Sequence, residues 1–286
     1  MKRFAVTSIL GLWAAVFALG QQKYRVDYSK GDSAQVVFLL QTAQKGRAPE
    51  GWVLHYARKF LGIPYVGQTL ERNDTEKLVV NLREMDCTTM VEQVLALALC
   101  ARRKQTRFSD YCEALRHIRY IGGEVSYVKR QHYFTTWINA NEKAGLIRNI
   151  KSPNPPFLAL QKVNVNYMTT HVGLYRMLNL HREWLPEIRQ MEREITGQTH
   201  RYIPKSQIKN TKLLRKTIKN GDILTIITSK KGLDTSHIGF AVWKKDGLHL
   251  LNASSIHKKV VEESMTLRRY MYKHPTHLGI RVSRMQ

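Results

Sequence analysis

The chain has 286 residues, 43% of them hydrophobic, and carries 46 Lys and Arg against 22 Asp and Glu. This length allows one large domain, or one domain with an appended subdomain, around a sizeable core, and the composition excludes a low-complexity or repetitive chain. The net charge of +24 indicates an anionic partner, for which nucleic acid, a wall polymer and an envelope surface are the first candidates.

The first twenty residues have the pattern of a secretory signal. Lys2 and Arg3 precede an uncharged run of 16 residues from Phe4 to Leu19, and Gly20 follows before Gln21. The alternative is a membrane anchor, but a span needs about 20 apolar residues. We therefore predict that residues 1–20 are cleaved and that the mature protein is periplasmic or secreted. Export favours a wall polymer or an anionic envelope surface over nucleic acid.

The segment after the signal is predicted to be helical. Residues 21–49 form a polar lead-in and one helix, since apolar residues recur at helical spacing from Ser33 to Gln44, and a second helix runs from Glu50 to Leu61. Residues 62–69 contain glycine and proline, which end the helix. We predict that this loop approaches the stretch around Cys87.

A buried helix with a cysteine at its start is predicted next. From Cys87 to Leu99 the apolar residues follow one helical face, and Asp86 before two threonines is typical of an N-cap. There the unpaired backbone N–H groups and the helix dipole favour an anion, so a thiol ionises more easily. The alternative is that Cys87 is a small buried hydrophobe.

The other two cysteines are Cys100 and Cys112. An oxidising compartment would permit a disulfide between them and leave Cys87 as an odd thiol, although spacing alone does not fix the pairing. The sequence has no CxxC, no HExxH and no tight His/Asp cluster, so we predict no metal site and no cofactor. His274 and His277 are expected on the surface.

The following region is predicted to be helical and then irregular. A helix is expected from Phe108 to Ile121. Residues 151–197 begin with a segment that contains Pro153, Pro155 and Pro156, followed by a strand predicted from Lys162 to Met168 and a charged helix predicted from Glu183 to Ile195. We interpret 151–197 as an insertion.

From Gly221 onward the apolar pattern has a period of two, which predicts strands. Residues 244–247 are expected to form a hairpin turn. Helices followed by a strand meander predict an α+β domain, over residues 50–286, with an antiparallel sheet. The predicted strands are Ile223–Thr228, Ser236–Trp243, Leu248–Ser254, Lys259–Glu263 and Leu278–Val282.

The strand from Ser236 to Trp243 carries a histidine that can meet the thiol. His237, Gly239 and Ala241 share one face, and a four-residue hairpin loop sets Asn252 diagonal to His237 on that face. The small residues leave room for a helix, and we expect the cysteine helix there. A β-bulge in either strand would change which residues share this face. The alternative for His237 is a hydrogen-bonded core histidine.

Four blocks of the sequence carry a family resemblance. They are Phe60–Tyr65, Leu78–Leu82 running into Asp86–Thr89, Gly221–Leu224 with Asp234–Gly239, and Leu251–Ser254. Together they resemble the N-acetylmuramoyl-L-alanine amidase-like family, a branch of the NlpC-type papain-like cell-wall hydrolases. The resemblance spans about residues 50–286. It implies a papain-like α+β fold with the nucleophile helix packed on a C-terminal antiparallel sheet.

The resemblance also implies a reaction and three catalytic residues. The reaction is hydrolysis of an amide bond in peptidoglycan fragments, most directly the bond between N-acetylmuramic acid and L-alanine. Cys87 would be the nucleophile, His237 the base and then the acid, and Asn252 the residue that orients the imidazole. Relatives often have histidine where this chain has Asn252. The backbone N–H of Cys87 would help to hold the oxyanion.

Side chains for gripping the substrate are harder to assign, because ordinary surface and packing residues look alike in sequence. An arginine can meet stem carboxylates and an aromatic ring can stack on a sugar. The expected substrate contacts are Tyr65, Thr69, Asp86, Arg130, His132 and Trp137.

Two other functions stay open. One is a stem-peptide endopeptidase that uses the same triad but cuts between D-glutamate and the diamino acid. The other is a non-catalytic basic protein that binds wall or other polyanions. We expect a monomer that takes muropeptides, touches the anionic envelope surface peripherally and does not bind nucleic acid.

Overall fold

The structure is a computed structural model that describes residues 24–44 and 51–286. The predicted signal at residues 1–20 lies outside these residues. Within the described ranges, no helix is both long and apolar enough to cross a bilayer. The helices are α1 (Lys30–Gln44), α2 (Trp52–Lys59), α3 (Cys87–Arg102), α4 (Phe108–Arg119), α5 (Phe134–Lys143), α6 (Tyr167–Thr170), α7 (Arg176–Leu180), α8 (Leu185–Ile195), α9 (Lys212–Thr217) and α10 (Leu267–Tyr272).

The strands form one large sheet and one short pair. They are β1 (Val26–Asp27), β2 (Leu78–Val79), β3 (Ile147–Ile150), β4 (Ala159–Lys162), β5 (Thr199–Pro204), β6 (Ile223–Thr228), β7 (Thr235–Trp243), β8 (Leu248–Ser254), β9 (Lys259–Glu262) and β10 (His277–Met285). Eight strands lie in the order β4-β5-β10-β6-β7-β8-β9, with β3 also on β10, and β1 pairs with β2 in parallel. The mixed helices and antiparallel sheet confirm the predicted α+β class.

The sheet is covered on both faces. One face packs against α1 to α5 in the largest core, to which β7 contributes Ile238, Phe240 and Val242. The other face packs against α9 and α10, and there β7 contributes Ala241. α3 is buried from Thr89 to Ala101, so it is the central helix of the larger core, as its apolar sequence predicts.

The predicted face for α3 is wrong. The helix packs over the side of β7 opposite to Gly239 and Ala241, because three large side chains, Ile238, Phe240 and Val242, bury more apolar area against it than two small residues do. A bulge also interrupts β7. Ile226 pairs with His237 and Ile227 with Thr235, so one residue between them is extra.

The middle region differs from its prediction. The strand predicted from Lys162 to Met168 is wrong: β4 ends at Lys162, and α6 begins at Tyr167. The charged helix is present as α8. Residues of this region form a small separate core with two tyrosines from the preceding segment, namely Tyr127, Tyr133, Val163, Val165, Met168, Met177, Leu178, Ile188, Met191 and Ile195. The division of the chain into domains stays a prediction.

Candidate active site

Cys87 is the first residue of α3, as predicted, and the helix start is fixed by a capping box. The Thr89 N–H donates to Asp86 Oδ1 at 2.8 Å, and the Asp86 N–H donates to Thr89 Oγ1 at 2.9 Å. The Met90 N–H donates to the Asp86 carbonyl at 3.0 Å. The Cys87 N–H donates to no described residue, so it is available to an anion at the helix start.

The half-buried Cys87 thiol lies against the backbone of β7. Its sulfur accepts a hydrogen bond from the Ile238 N–H, which places it beside His237 in the strand. Because the contact is with the strand backbone at the helix's first residue, the sulfur lies next to the β7 residue that follows His237, although α3 packs on the other face. Desolvation, and then the Asp86 carboxylate, raises the pKa of the thiol to about 12. The expectation of an easily ionised thiol is therefore wrong, because desolvation and the Asp86 charge outweigh the hydrogen bonds with Thr88 and Ile238 that lower the pKa.

His237 is bonded to Asn252 across the β7–β8 hairpin. The His237 Nε2 to Asn252 Oδ1 distance is 2.8 Å, as the predicted diagonal pairing requires. This bond leaves Nδ1 as the ring nitrogen that can act on the thiol. The pKa of His237 is lowered, first by desolvation, whereas the hydrogen bond that the ring donates to Asn252 and the charge of Glu263 act to raise it. The imidazole is therefore neutral at neutral pH and can accept a proton.

Gly239 lets the two strands approach at this point. A Cβ added there would lie 2.6 Å from the Leu251 carbonyl oxygen and 3.0 Å from the Asn252 Cβ. The first distance is shorter than real Cβ contacts and the second is unusually tight, so a side chain would displace the β8 backbone and with it Asn252.

Gly239→Ala is expected to lower the free energy of unfolding by about 1–3 kcal/mol and also to lower kcat, because Asn252 must shift. Urea denaturation and hydrolysis rates measure the two effects. Gly173→Ala is the matched control, since a Cβ there has no atom within 4 Å. If both variants unfold at the same urea concentration, the close approach at Gly239 is not important.

A cavity of about 190 Å³ opens beside Cys87. Asp86 and Thr88 form the side next to Cys87, and Tyr175 reaches it from the region predicted to be an insertion. The other lining residues are Gln68, Leu70, Glu71, Thr89, Glu92, Arg130, Gln131 and His132. The Gln68 Nε2 donates to the Leu174 carbonyl at 3.2 Å, which ties the 62–69 loop to the same region. The cavity is thus bounded by the cysteine helix, that loop and the middle segment.

Two of the expected substrate contacts lie beside the thiol. Desolvation and the nearby Cys87 and Asp86 raise the pKa of the half-buried Tyr65 to about 12. The Tyr65 N–H is fixed by the Lys258 carbonyl at 2.9 Å. Tyr65 and Asp86 therefore remain predicted contacts, and the 62–69 loop approaches the cysteine as expected.

The polar groups of two further residues are already engaged. Arg130 forms ion pairs with Glu71 and, at 3.7 Å, with Glu76, and these carboxylates raise its pKa despite desolvation. The His132 Nε2 contacts the Tyr127 carbonyl at 2.8 Å, and burial with the Arg130 charge lowers its pKa to about 3. Both line the cavity and stay predicted substrate contacts, but the charge of Arg130 is already paired with two carboxylates.

Three expectations are wrong because the side chains are buried. Trp137 is 0% exposed in the main core, so it has no face on which a sugar can stack. Thr69 is 3% exposed and offers almost no surface. His277, expected on the surface, is buried beside His274 at a ring distance of 4.8 Å. Cys100 and Cys112 are both buried free thiols.

Sequence reasoning missed Glu263, Thr88 and Tyr175. For Glu263 a signal existed, because Asn252 pairs with Val261, and Glu263 lies two residues further on the same face of the adjacent strand. Tyr175 has no such signal, since its place depends on how a distant segment folds back.

Comparison with known proteins places the chain in a class. Residues 55–280 match the family model described as AmiA-like, N-acetylmuramoyl-L-alanine amidase-like. An N-acetylmuramoyl-L-alanine amidase from Bacteroides uniformis is 33% identical, with 82% of this chain and 98% of that chain covered and a TM-score of 0.76. The fold and these matches define the class of amidase-like cell-wall hydrolases. The chain belongs to the AmiA-like, N-acetylmuramoyl-L-alanine amidase-like family.

Two other solved structures are similar. A Bacteroides fragilis protein, described provisionally as a xylanase, is 37% identical over 81% of this chain and 100% of that chain, with a TM-score of 0.75. A Legionella pneumophila protein of the family model DUF1460 is 25% identical over 89% of this chain and 94% of that chain, with a TM-score of 0.70. No curated protein gives a significant match.

Proposed function

We propose that this protein is an exported cysteine amidase that cleaves the bond between N-acetylmuramic acid and L-alanine in peptidoglycan fragments. We also propose that its fold is the papain-like, NlpC-type arrangement. Two contacts carry the proposal. The Cys87 sulfur accepts from the β7 backbone next to His237, and His237 Nε2 bonds to Asn252 Oδ1 at 2.8 Å. A thiol, a base and an orienting amide are the parts that nucleophilic acyl transfer needs.

The reaction starts from a neutral pair, because burial raises the pKa of the Cys87 thiol and lowers that of His237. His237 Nδ1 takes the thiol proton as the sulfur attacks the lactyl carbonyl carbon. The carbonyl oxygen gains the negative charge, and the Cys87 N–H at the helix start stabilises it. The imidazolium then donates its proton to the leaving nitrogen of L-alanine, and the C–N bond breaks.

The second half releases the acyl group. The sulfur holds the lactyl carbonyl as a thioester, and His237, neutral again, removes a proton from water. The resulting hydroxide attacks the thioester carbon, and the C–S bond breaks. The sulfur leaves as thiolate and recovers the proton from His237. The products are a muramic acid carboxylate and the free stem peptide.

Charge and the cavity support an anionic, partly sugar-like substrate. The chain carries a net charge of +24, and a stem peptide carries carboxylates. The cavity beside Cys87 offers Thr88, Tyr175 and the Asp86 side chain as hydrogen-bonding groups. We also propose that the mature protein works as a monomer in the periplasm or outside the cell, with peripheral contact to the anionic envelope.

Defined muropeptides test the scissile bond. The enzyme is expected to release a free stem peptide that begins with L-alanine and to leave the sugar without any amino acid, as read by mass spectrometry. A sugar product that still carries L-alanine and D-glutamate would instead support the stem-peptide endopeptidase. Absence of any cleavage, with binding to wall polymer intact, would support the non-catalytic binder. The no-enzyme reaction is the control.

A further inference from the structure

The far side of the Asn252 amide has a partner that the reaction does not use directly. Asn252 is 0% exposed; its Oδ1 faces His237, and its Nδ2 donates to Glu263 Oε1 at 3.2 Å. Glu263 is 2% exposed, and its Oε2 contacts His257 Nε2 at 3.2 Å. His237, Asn252, Glu263 and His257 thus form one hydrogen-bonded row, which we name the relay row. It runs from the thiol side to the half-exposed His257.

The orientation of the amide decides what the imidazole can do. If the amide were rotated by half a turn, its NH₂ would face His237 Nε2, and Nε2 would have to be the unprotonated nitrogen. Nδ1 would then carry the hydrogen and could not take the thiol proton. A carboxylate accepts hydrogen bonds and does not donate them, so Glu263 favours the orientation with Nδ2 toward itself. Oδ1 then faces His237 and selects the Nε2–H form.

The same carboxylate acts on the imidazole by its charge. Glu263 and, more weakly, Asp86 raise the pKa of His237, whereas desolvation and His274 lower it. Two further titratable groups lie near these residues. The pKa of the buried His277 is lowered by desolvation and, in part, by His237, and the pKa of Tyr270 is raised by desolvation and then by Glu263 and Cys87. Glu263 therefore stabilises the imidazolium that forms in the reaction. It acts over a longer distance than a carboxylate bonded directly to the ring, because the Asn252 amide lies between them.

The neighbouring glutamate does not share this position. Glu262 is paired outward with Arg58 at 3.3 Å and with Lys244 at 3.0 Å. Glu263 is buried, and its backbone is also fixed: its N–H donates to the Leu250 carbonyl at 2.9 Å, and its carbonyl contacts His249 Nδ1 at 2.9 Å. The end of β9 thus directs the Glu262 carboxylate outward and the next carboxylate, Glu263, toward Asn252.

We propose that Glu263 is a positioning residue of this site, whose carboxylate fixes the Asn252 amide and thereby the Nε2–H form of His237. Its role in catalysis rests on the proposed function, but its effect on the imidazole does not. His257 Nε2 contacts Glu263 Oε2, so both oxygens of the Glu263 carboxylate have a hydrogen-bonding partner.

Glu263→Gln and Glu262→Gln form a matched pair that tests this. The first removes the charge and lets the Asn252 amide turn, so kcat should fall about 10- to 100-fold with KM nearly unchanged. The acid limb of the pH profile should move to lower pH, because the charge that raises the pKa of His237 is lost. Glu262→Gln should change neither. Equal kcat and acid limbs in the two variants would overturn the proposal.

A spectroscopic measurement keeps the test independent of activity and of variant folding. Nitrogen-15 NMR of the full chain, with His237 identified by its loss in His237→Gln, should show the hydrogen on Nε2. A hydrogen on Nδ1 in the unsubstituted protein would overturn the proposal. If Cys87→Ala kept full activity while the Nε2–H form was observed, the proposed function would fail and the positioning role of Glu263 would stand.

Discussion

Replacing Cys87 with alanine is expected to lower muropeptide hydrolysis by about 10³-fold or more, because an alanine side chain cannot form the proposed thioester. Cys87→Ser is expected to be nearly as inactive, since a serine hydroxyl is a much weaker nucleophile beside the same base. Cys112→Ala is the control, because that thiol is buried in the core formed by α3 and α4. Release of free stem peptide, followed by mass spectrometry, measures all three.

Alkylation separates this result from the non-catalytic alternative. Cys87 is half-buried, whereas Cys100 and Cys112 are buried. Iodoacetamide near neutral pH should therefore label Cys87 first, and the labelled protein should lose activity in step with labelling. Labelling should slow in His237→Gln, because burial raises the pKa of the thiol and its proton then has no acceptor. An active Cys87→Ala variant would refute the nucleophile assignment.

His237→Gln is expected to lower kcat by about 10³-fold, since glutamine keeps a polar contact with Asn252 but cannot take the thiol proton. KM should change little, because His237 acts on the reacting atoms. His200→Gln is the control: burial lowers the pKa of His200 to about 4, but it lies on β5, away from the thiol. Full activity of His237→Gln would remove the base from the mechanism.

The pH profile of the unsubstituted enzyme follows from the same ring. The pKa of His237 is lowered from its ordinary value of 6.5, chiefly by desolvation. Neutral imidazole is the active form, so kcat/KM should rise with pH through a midpoint below 6.5 and then stay level through neutral pH. The thiol has its pKa raised to about 12 and adds no limb in that range. An ascending midpoint above 7 would mean that the pKa of His237 is raised and not lowered.

Local patterns were enough to predict the elements that hold the site. The period of two after Gly221 predicts β6 and β8 with their observed bounds, and the four-residue hairpin loop gives the observed pairing of Trp243 with Leu248. Asp86 before two threonines predicts the cap of α3. Each of these depends on residues close together in the chain, where side-chain alternation and turn chemistry act directly.

Contacts between distant segments were harder to predict. Trp137 and Arg130 have suitable side chains for substrate binding, but the tertiary fold buries the first and pairs the second with Glu71 and Glu76. The face on which α3 packs depends on which side of β7 buries more apolar area. The sequence prediction chose the face with the small residues Gly239 and Ala241, because it considered the room for a helix and not the buried area. Ionisation of Cys87 depends likewise on burial, which no local pattern reports.

The capped start of α3 belongs to the larger core, whereas Ala241, on the same side of β7 as His237, packs into the core beneath α9 and α10. The Cys87 sulfur and the His237 ring are therefore supported by separate hydrophobic cores on the two sides of the β7 backbone. Loosening either interior would widen the gap between the two atoms before the chain as a whole denatures. On gradual heating, turnover should consequently disappear at a lower temperature than the far-ultraviolet circular dichroism signal.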